Sequence, residues 1–219
     1  MADYMPDLFA ALDDQPRRVE LASGAVLLRG FALKHEGEIL TAYQKVVAAA
    51  PFRRMVTPGG QMMSVAMTNC GTAGWVTDRR GYRYDHTDPS TGKPWPSMPI
   101  VLYELAQDSA AEAGYPGFEP DACLINCYVP GSRLTLHQDR NERDFGAPIV
   151  SVSLGLPAKF LFGGLKRGDK AQRIMLHHGD VTVWGGPSRL AFHGIDTLKD
   201  GEHSATGRCR INLTFRKAL

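Results

Sequence analysis

Short apolar and alternating runs separated by turn residues dominate the chain after Gly117. This pattern is typical of an all-β barrel or sandwich. It predicts a mainly β (α+β) fold whose core, at about residues 118–219, is a double-stranded β-helix, or jelly roll, because that architecture has eight strands. The predicted strands are Cys123–Tyr128, Leu134–Gln138, Ile149–Leu156, Lys159–Phe162, Arg173–His177, Val181–Trp184, Leu190–Ile195 and Cys209–Lys217.

Before this region, the pattern predicts one further strand and two helices. Gly24–Gly30 is an apolar run bounded by glycines, which favours a strand. Apolar residues recur at helical spacing from His35 to Ala50, where Pro51 ends the run, and a second helix is predicted from Met98 to Ala113. We expect both N-terminal helices to pack on the sheet and about residues 1–20 to form a mobile leader.

The segment between the two helices, about residues 52–96, has a different character. It is rich in glycine and proline and lacks regular periodicity, which suggests a surface flap, or lid, over a site. Aromatic rings can stack on nucleic-acid bases while arginines contact phosphates, although these aromatics could also form a small core of the lid itself, which we prefer for Trp95. Its large side chains are Met62, Met63, Met67, Trp75, Tyr82, Tyr84 and Trp95, with Arg79, Arg80 and Arg83 between them.

Composition limits the classes of protein. The chain has 219 residues, 43% of them hydrophobic, which suits one domain spanning residues 1–219. A net charge of +2 argues against a protein that grips long duplexes through many phosphates. The N-terminus lacks the features of a signal peptide and no apolar run reaches membrane-spanning length, so we expect no membrane association. The cysteines are Cys70, Cys123, Cys127 and Cys209, and they lack zinc-type spacing. We read them as reduced thiols, which favours a cytoplasmic protein.

The strand that ends in His137 carries the first candidate chemistry. In a strand, residues i and i+2 face the same way, so His137 and Asp139 lie side by side. With His193 from a later apolar run they could form the facial triad of a non-haem iron site. The alternative is a hydrogen-bonded surface pair, because H-x-D is a common short pattern. His177 and His178 lie at a predicted turn and are expected to face solvent.

The C-terminal strand has one apolar and one polar face. The apolar face comprises Ile211, Leu213 and Phe215, and the polar face comprises Arg210, Asn212, Thr214 and Arg216. An edge strand with one wet face would give the same alternation. However, guanidinium groups bind carboxylates through two-pronged, charge-assisted hydrogen bonds, so two arginines on one face could hold both ends of a dicarboxylate.

Together, the His137-x-Asp139 pair, His193 and the string Arg210–Arg216 resemble the AlkB family of bacterial nucleic-acid demethylases, which are Fe(II)/2-oxoglutarate dioxygenases. The resemblance covers nearly the whole chain and includes Met55–Gly60, Ser64–Gly71, Pro120–Asn126 and Pro148–Pro157. It implies reversal of N-alkylation damage in single- or double-stranded DNA, with RNA as a further candidate. The reaction would demethylate 1-methyladenine and 3-methylcytosine, converting 2-oxoglutarate and O2 to succinate, CO2 and formaldehyde. We expect a monomer.

The resemblance also implies roles for individual residues. The Fe(2+) ligands would be His137, Asp139 and His193. The 2-oxoglutarate site would comprise Asn126, Tyr128, Arg210, Asn212 and Arg216, with Asn212 and Arg216 near the 2-oxo acid end and Arg210 pairing the distal carboxylate. The nucleic-acid contacts would be Trp75 stacking on the target base, Tyr82, Arg83 and Tyr84 near the backbone, Asn141 beside the base, and Arg167.

Three positions depart from the family pattern. Asn141 stands where an aspartate is expected, Cys127 where an arginine is expected, and Gln61 where a tyrosine is expected. Cys127 would point away from the site, so we expect it to have little catalytic effect. Two alternative functions are a hydroxylase of the same fold that acts on a protein or small molecule, and a metal-free binding module.

Overall fold

The computed structural model describes residues 17–219, so most of the expected leader lies outside the described residues. The described chain enters its first strand at Arg18, before the expected end of the leader. The strands are β1 Arg18–Ala22, β2 Ala25–Leu28, β3 Arg53–Val56, β4 Met62–Gly71, β5 Gly74–Asp78, β6 Gly81–Asp85, β7 Ala122–Tyr128, β8 Leu134–His137, β9 Ile149–Gly155, β10 Ala158–Phe162, β11 Gln172–Leu176, β12 Val181–Trp184, β13 His193–Ile195 and β14 Arg210–Arg216. The helices are α1 Glu36–Ala49 and α2 Ile100–Glu112, with short 3-10 helices at Phe31–His35 and Gly186–Ser188.

Two antiparallel sheets form the jelly roll that the sequence predicts. The large sheet has the order β1-β2-β12-β9-β14-β7-β4-β3, and the small sheet has the order β11-β10-β13-β8. The eight strands from β7 to β14 divide equally between them, which confirms the double-stranded β-helix. Among residues 17–219, no helix is long and apolar enough to cross a membrane.

Both faces of the large sheet are covered. On one face, Leu27, Met67 and Trp184 belong to a core shared with Phe160 and Phe162 of the small sheet. On the other face, residues such as Val26 and Phe215 pack with side chains of α1 and α2. Because both faces of the large sheet are covered, every residue of β9 and of β14 is buried. Fully burying one large apolar side chain contributes about 1.5–3 kcal/mol.

The segment between the helices is more regular than expected. It contains four strands, of which β3 and β4 extend the large sheet, while β5 and β6 form a separate hairpin. The lack of regular periodicity in the sequence therefore did not indicate the four strands of this segment. The end of β4 is buried on both faces, so the alternation that identifies a half-exposed strand is missing there. Trp95 is buried, as predicted, but it lies in the core shared by the two sheets and not in a separate core of the lid.

Candidate active site

A pair of directly opposed strand residues forms the centre of the site. His137 on β8 is the register partner of His193 on β13, and their ring centroids lie 4.4 Å apart. Asp139 follows β8 by two residues. Its Oδ1 lies 3.7 Å from His137 Nε2, and its Oδ2 lies 3.7 Å from His193 Nε2. Among residues 17–219, these three side chains are the one group of His, Cys, Asp and Glu whose ligand atoms, all within 4.8 Å of one another, could share a metal ion.

Gly194 allows the two strands to come this close. A Cβ at this position would lie 2.6 Å from the carbonyl oxygen of Leu134 on the neighbouring strand, which is too short for any side chain. Glycine is therefore required for the close backbone approach beside His193. The histidine pair depends on this local packing of β13 against β8.

Hydrogen bonds fix the tautomer of both imidazoles. His137 Nδ1 lies 2.9 Å from the Thr135 carbonyl, and His193 Nδ1 lies 3.0 Å from the Ala191 carbonyl. A carbonyl can only accept, so each Nδ1 carries the proton and each Nε2 presents a lone pair beside Asp139. Burial, with the neighbouring His137, lowers the pKa of His193 to about 4, which keeps this ring neutral at pH 7. Two neutral imidazoles and one carboxylate fit an Fe(II) ion.

Asp139 is held by an arginine from the C-terminal strand. Arg216 donates to Asp139 Oδ2 from Nε at 2.9 Å and from Nη2 at 2.6 Å. Burial alone would raise the pKa of Asp139, but the Arg216 guanidinium and both histidines hold it well below its usual range. Arg216 therefore contacts Asp139, a candidate metal ligand. The expected contact of Arg216 with the 2-oxo acid end of the co-substrate stays a prediction.

Arg210 has the opposite character, because its charge is largely uncompensated. It is 1% exposed, and its Nη2 donates to Ser153 Oγ at 2.9 Å. Its Nε and Nη1, and the nearby Asn126 Oδ1, find no hydrogen-bond partner within residues 17–219. An unpaired buried polar group costs about 1–3 kcal/mol, and more if it is charged. A bound carboxylate would satisfy these guanidinium donors, so the arrangement fits 2-oxoglutarate.

The remaining candidates for that co-substrate lie next to Arg210. Tyr128 is the register partner of Arg210, and Asn126 is the register partner of Asn212 on the same two strands. The guanidinium carbon of Arg210 lies 5.1 Å from the centroid of the Tyr128 ring. The structure thus brings together four of the five side chains that the resemblance assigns to the 2-oxoglutarate site.

A cavity of about 540 Å³ contains these groups, a size suited to a small-molecule site. Phe160 and Trp184 form its apolar wall beside His193. The predicted site residues that line the cavity are Trp75, Tyr82, Asn126, Tyr128, His137, Asp139, Asn141, Arg167, His193, Arg210, Asn212 and Arg216.

The hairpin β5–β6 supplies two aromatic rings to the cavity. Trp75 and Tyr82 are stacked, with ring centroids 5.7 Å apart and an interplanar angle of 20°. The Trp75 indole Nε1 donates to Asn141 Oδ1 at 3.1 Å. Asn141, one of the departures from the family pattern, therefore holds the lid tryptophan at the cavity that the triad also lines.

Two predicted nucleic-acid contacts do not line the cavity. Arg83 is engaged within the hairpin, with ion pairs to Asp78 at 3.0 Å and Asp85 at 3.5 Å. The Tyr84 hydroxyl is turned inward and donates to Glu142 Oε1 at 2.6 Å. Their observed partners are protein side chains, so contact with a nucleic-acid backbone stays a prediction for both.

Sequence reasoning missed two buried charged residues behind Asp139. Arg189 donates from Nη1 to the Asp139 carbonyl at 2.9 Å and from Nη2 to Glu142 Oε2 at 3.1 Å. Glu142 lies in a polar loop and Arg189 beside a short 3-10 helix. No periodic pattern at either position indicates burial, so the sequence carried no signal for them.

Comparison with known proteins identifies the class of enzyme. Residues 24–216 match the family model described as the 2OG-Fe(II) oxygenase superfamily. This match covers most of the chain and includes the triad and Arg210, so the chain belongs to the 2OG-Fe(II) oxygenase superfamily. The family and the triad confirm the predicted Fe(2+), 2-oxoglutarate and O2 and argue against a metal-free binding module.

Within the superfamily, the similarity to bacterial AlkB is high. The chain is 58% identical over 214 residues to the alpha-ketoglutarate-dependent dioxygenase AlkB of Escherichia coli (strain K12), covering 98% of each chain. It is 48% identical over 170 residues to the AlkB homolog of Caulobacter vibrioides (strain NA1000 / CB15N), covering 77% of this chain and 76% of the relative. The solved structure of OsALKBH1 matches with a TM-score of 0.80 and 31% identity, covering 91% of this chain and 99% of that one. The predicted resemblance to bacterial AlkB is confirmed.

Proposed function

We propose that this dioxygenase repairs N-alkylated nucleic acid by oxidative demethylation of 1-methyladenine and 3-methylcytosine. DNA is the proposed substrate, single- or double-stranded, and RNA is a further candidate. The products are the unmodified base, formaldehyde, succinate and CO2. Support comes from the similarity to AlkB and from a more distant relative, the nucleic acid dioxygenase ALKBH1 of Mus musculus, which is 37% identical over 131 residues, 58% of this chain and 33% of that one.

The stacked aromatic rings of the lid, which line the same cavity as the triad, carry this proposal. Trp75 and Tyr82 line the same cavity as His137 and His193, so a flat base could lie beneath an aromatic face with its substituent towards the metal ligands. Stacking of a base on an aromatic side chain is worth about 1–3 kcal/mol. The indole face also favours a cation, and both proposed lesions carry positive charge when methylated. A base must leave the duplex to enter such a cavity, and a lesion that blocks base pairing lowers that cost.

We assign the metal and co-substrate as follows. His137, Asp139 and His193 would hold Fe(II) through Nε2, a carboxylate oxygen and Nε2. Arg210, Asn126, Tyr128 and Asn212 would bind 2-oxoglutarate, with the unpaired Arg210 donors taking its distal carboxylate. When bound, the iron and 2-oxoglutarate supply the oxidant, derived from O2, that inserts one oxygen atom into an N-methyl C–H bond.

The protein's own residues orient and protect this chemistry. Arg216 fixes one oxygen of Asp139, and the apolar wall of Phe160 and Trp184 excludes water beside His193. The hydroxymethyl group left on the base then breaks down without a catalytic group. Its hydroxyl proton leaves, the carbon–nitrogen bond breaks, formaldehyde departs, and the ring nitrogen keeps the electron pair.

The rival function is a hydroxylase of the same fold that acts on a protein or small molecule. The aromatic lid and the cavity-lining Arg167 argue against it, because a small-molecule enzyme has little use for phosphate contacts. We also infer a single domain of residues 1–219, acting as a monomer in the cytoplasm. A mass near the 24.0 kDa of one chain in light-scattering measurements would support the monomer.

The deciding experiment uses a short single-stranded oligonucleotide with one 3-methylcytosine, supplied with Fe(II), 2-oxoglutarate and O2. An unmethylated oligonucleotide is the substrate control and His193→Ala is the enzyme control. We expect formaldehyde that requires the methyl group and equals the methylation-dependent succinate. Equal succinate from both oligonucleotides without formaldehyde would mean that the iron site works on another substrate.

A further inference from the structure

Behind the metal-ligand candidate Asp139 lies a buried group of four charges. It consists of two acids, Asp139 and Glu142, and two arginines, Arg189 and Arg216, whose side chains are between 1% and 10% exposed. The charges balance, which lowers the cost of holding charged groups so far from water. Any change to one of them will therefore be felt by the others.

Glu142 occupies the middle of this group. Its Oε2 pairs with Arg189 Nη2 at 3.1 Å, and its Oε1 lies 3.5 Å from Arg216 Nε. The same Oε1 accepts a hydrogen bond from the Tyr84 hydroxyl at 2.6 Å. Tyr84 belongs to β6, the second strand of the lid hairpin. Burial raises the pKa of Tyr84, so its hydroxyl keeps its proton at neutral pH.

A continuous path therefore runs from the lid to the triad. Tyr84 contacts Glu142, Glu142 contacts Arg216, and Arg216 donates twice to Asp139 Oδ2. This leaves Asp139 Oδ1 directed at His137, at 3.7 Å from Nε2. The orientation of the carboxylate is thus set by contacts outside the triad.

We propose that Glu142 and Tyr84 are positioning residues for the metal site, which hold Arg216 and through it Asp139, and which couple lid closure to metal affinity. The proposal rests on the assignment of the triad as the metal site but not on the class of substrate. Opening the hairpin removes the Tyr84 hydroxyl from Glu142. Asp139, which shares Arg216 with Glu142, is then held less firmly. By reciprocity, metal binding will favour the closed hairpin to the same extent.

Glu142→Gln is the stronger test, because it leaves two buried arginines with one carboxylate. The excess positive charge opposes a divalent cation, and Arg216 loses one of the two carboxylates that pair with it. Replacing groups that orient metal ligands typically costs about 10–100-fold in metal affinity. We expect about a tenfold loss for Glu142→Gln and about a threefold loss for the milder Tyr84→Phe, which removes only the hydroxyl.

Metal affinity is measured on the apoprotein with Mn(II), without 2-oxoglutarate or nucleic acid, from the electron paramagnetic resonance signal of unbound Mn(II). In the double variant we expect no further loss beyond that of Glu142→Gln, because Tyr84 acts through Glu142. Wild-type affinity in Glu142→Gln would overturn the proposal, and wild-type affinity in Tyr84→Phe would overturn the role assigned to Tyr84. Additive losses in the double variant would overturn the path from Tyr84 through Glu142.

Two matched controls separate positioning from general damage. Tyr115→Phe removes another tyrosine hydroxyl, one that donates to the Gly24 carbonyl at 2.8 Å outside the cavity. Asp180→Asn breaks another buried ion pair, with Arg29 at 2.6 Å. Both controls should bind Mn(II) as the wild type does, even where they lower stability. Equal losses of Mn(II) affinity in the controls would mean that Glu142→Gln and Tyr84→Phe act through general structural damage and not through positioning.

Hydrogen exchange tests the coupling to the lid independently. Mn(II) should slow amide exchange across β5 and β6 in the wild type and do so less in Tyr84→Phe. The same slowing in both proteins would contradict the coupling. His193→Ala serves as the control for the metal site itself. If His193→Ala binds Mn(II) as tightly as the wild type, the triad assignment fails, whereas normal binding by Glu142→Gln alone defeats only the positioning proposal.

Discussion

The indole N–H of Trp75 is hydrogen-bonded to the side-chain oxygen of Asn141 at 3.1 Å, which ties the lid to the loop that carries Asp139. Only one residue, Arg140, separates Asn141 from the ligand candidate Asp139, so lid, base-contact candidate and metal site meet within one short loop. An aspartate at position 141 would keep the acceptor for Trp75 and add a negative charge.

The first prediction concerns selectivity between lesions. We expect Asn141→Asp to raise the ratio of activity on cationic 3-methylcytosine to that on neutral 1-methylguanine by about tenfold, because a nearby carboxylate attracts the cation. Rates on oligonucleotides with one lesion each measure the ratio. Asn141→Ala should slow both reactions, since Trp75 loses its acceptor. An unchanged ratio in Asn141→Asp would mean that residue 141 does not sense lesion charge.

The second prediction concerns the co-substrate. Arg210→Met should raise the KM for 2-oxoglutarate about 100-fold, because a buried guanidinium–carboxylate pair is typically worth 2–5 kcal/mol or more. The variant should lose no stability without 2-oxoglutarate, since it removes an uncompensated buried charge. Thermal unfolding with and without 2-oxoglutarate checks this: the ligand should stabilise the wild type and not the variant. Full rescue by Arg210→Lys would argue against a two-pronged contact.

The third prediction concerns stability in acid. Contrary to the expectation of solvent exposure, the His178 side chain is 12% exposed; its Nδ1 accepts from the Gly155 N–H at 2.8 Å and its Nε2 lies 3.1 Å from Glu36 Oε1. Burial and the stacked His203 lower the pKa of His178 despite Glu36 and Asp180. The unfolded chain therefore takes up a proton below about pH 6.5 that the folded protein does not.

Stability should consequently fall as the pH drops through that value and level off below the folded pKa. Urea unfolding at pH 7.5 and pH 5.5 measures the loss, which we expect to be smaller in His178→Gln. The comparison is a difference between two proteins, so other titrating groups cancel. An identical loss in both would show that His178 is not the source.

The fourth prediction concerns the thiols. Cys127, which replaces an arginine of the family pattern, lies beside Cys209 on the helix-facing side of the sheet. The hydrogen bond from Cys127 lowers the pKa of Cys209 to about 7, while the pKa of Cys127 is raised. Because thiolates are the reactive form, iodoacetamide should modify Cys209 before the buried Cys70 and Cys123.

Mass spectrometry of peptides after timed labelling will identify the modified residue and give its pH midpoint, expected at about 7. Cys127→Ala should move the midpoint upwards, because the stabilising donor is lost. Modification of Cys123 before Cys209 would contradict the burial of Cys70 and Cys123. Activity of Cys127→Ala should stay near that of the wild type, since its side chain points away from the cavity.

The sequence predicted the parts of the molecule that follow a local period. The strands from β7 to β14, the facing pair His137 and Asp139, and the polar face with Arg210 all follow from alternation. What it could not predict are contacts between distant residues of unremarkable local pattern. The partner of Arg216 is 77 positions away, and that of Arg189 is 47 away in Glu142. Two arginines on one strand face were expected to share a ligand, and nothing in the sequence indicated that one of them, Arg216, also pairs with Asp139.

The direct opposition of His137 and His193 also ties the metal site to the alignment of two strands. Side chains of a strand alternate between faces, so a slip of one residue between β8 and β13 would turn one imidazole out of the cavity. Gly194, whose missing side chain allows the close approach to Leu134, would then face a different stretch of the β8 backbone. Metal capture thus serves as a check on correct sheet assembly: during refolding, a misaligned chain cannot bind the ion, and only correctly paired molecules gain its stabilisation.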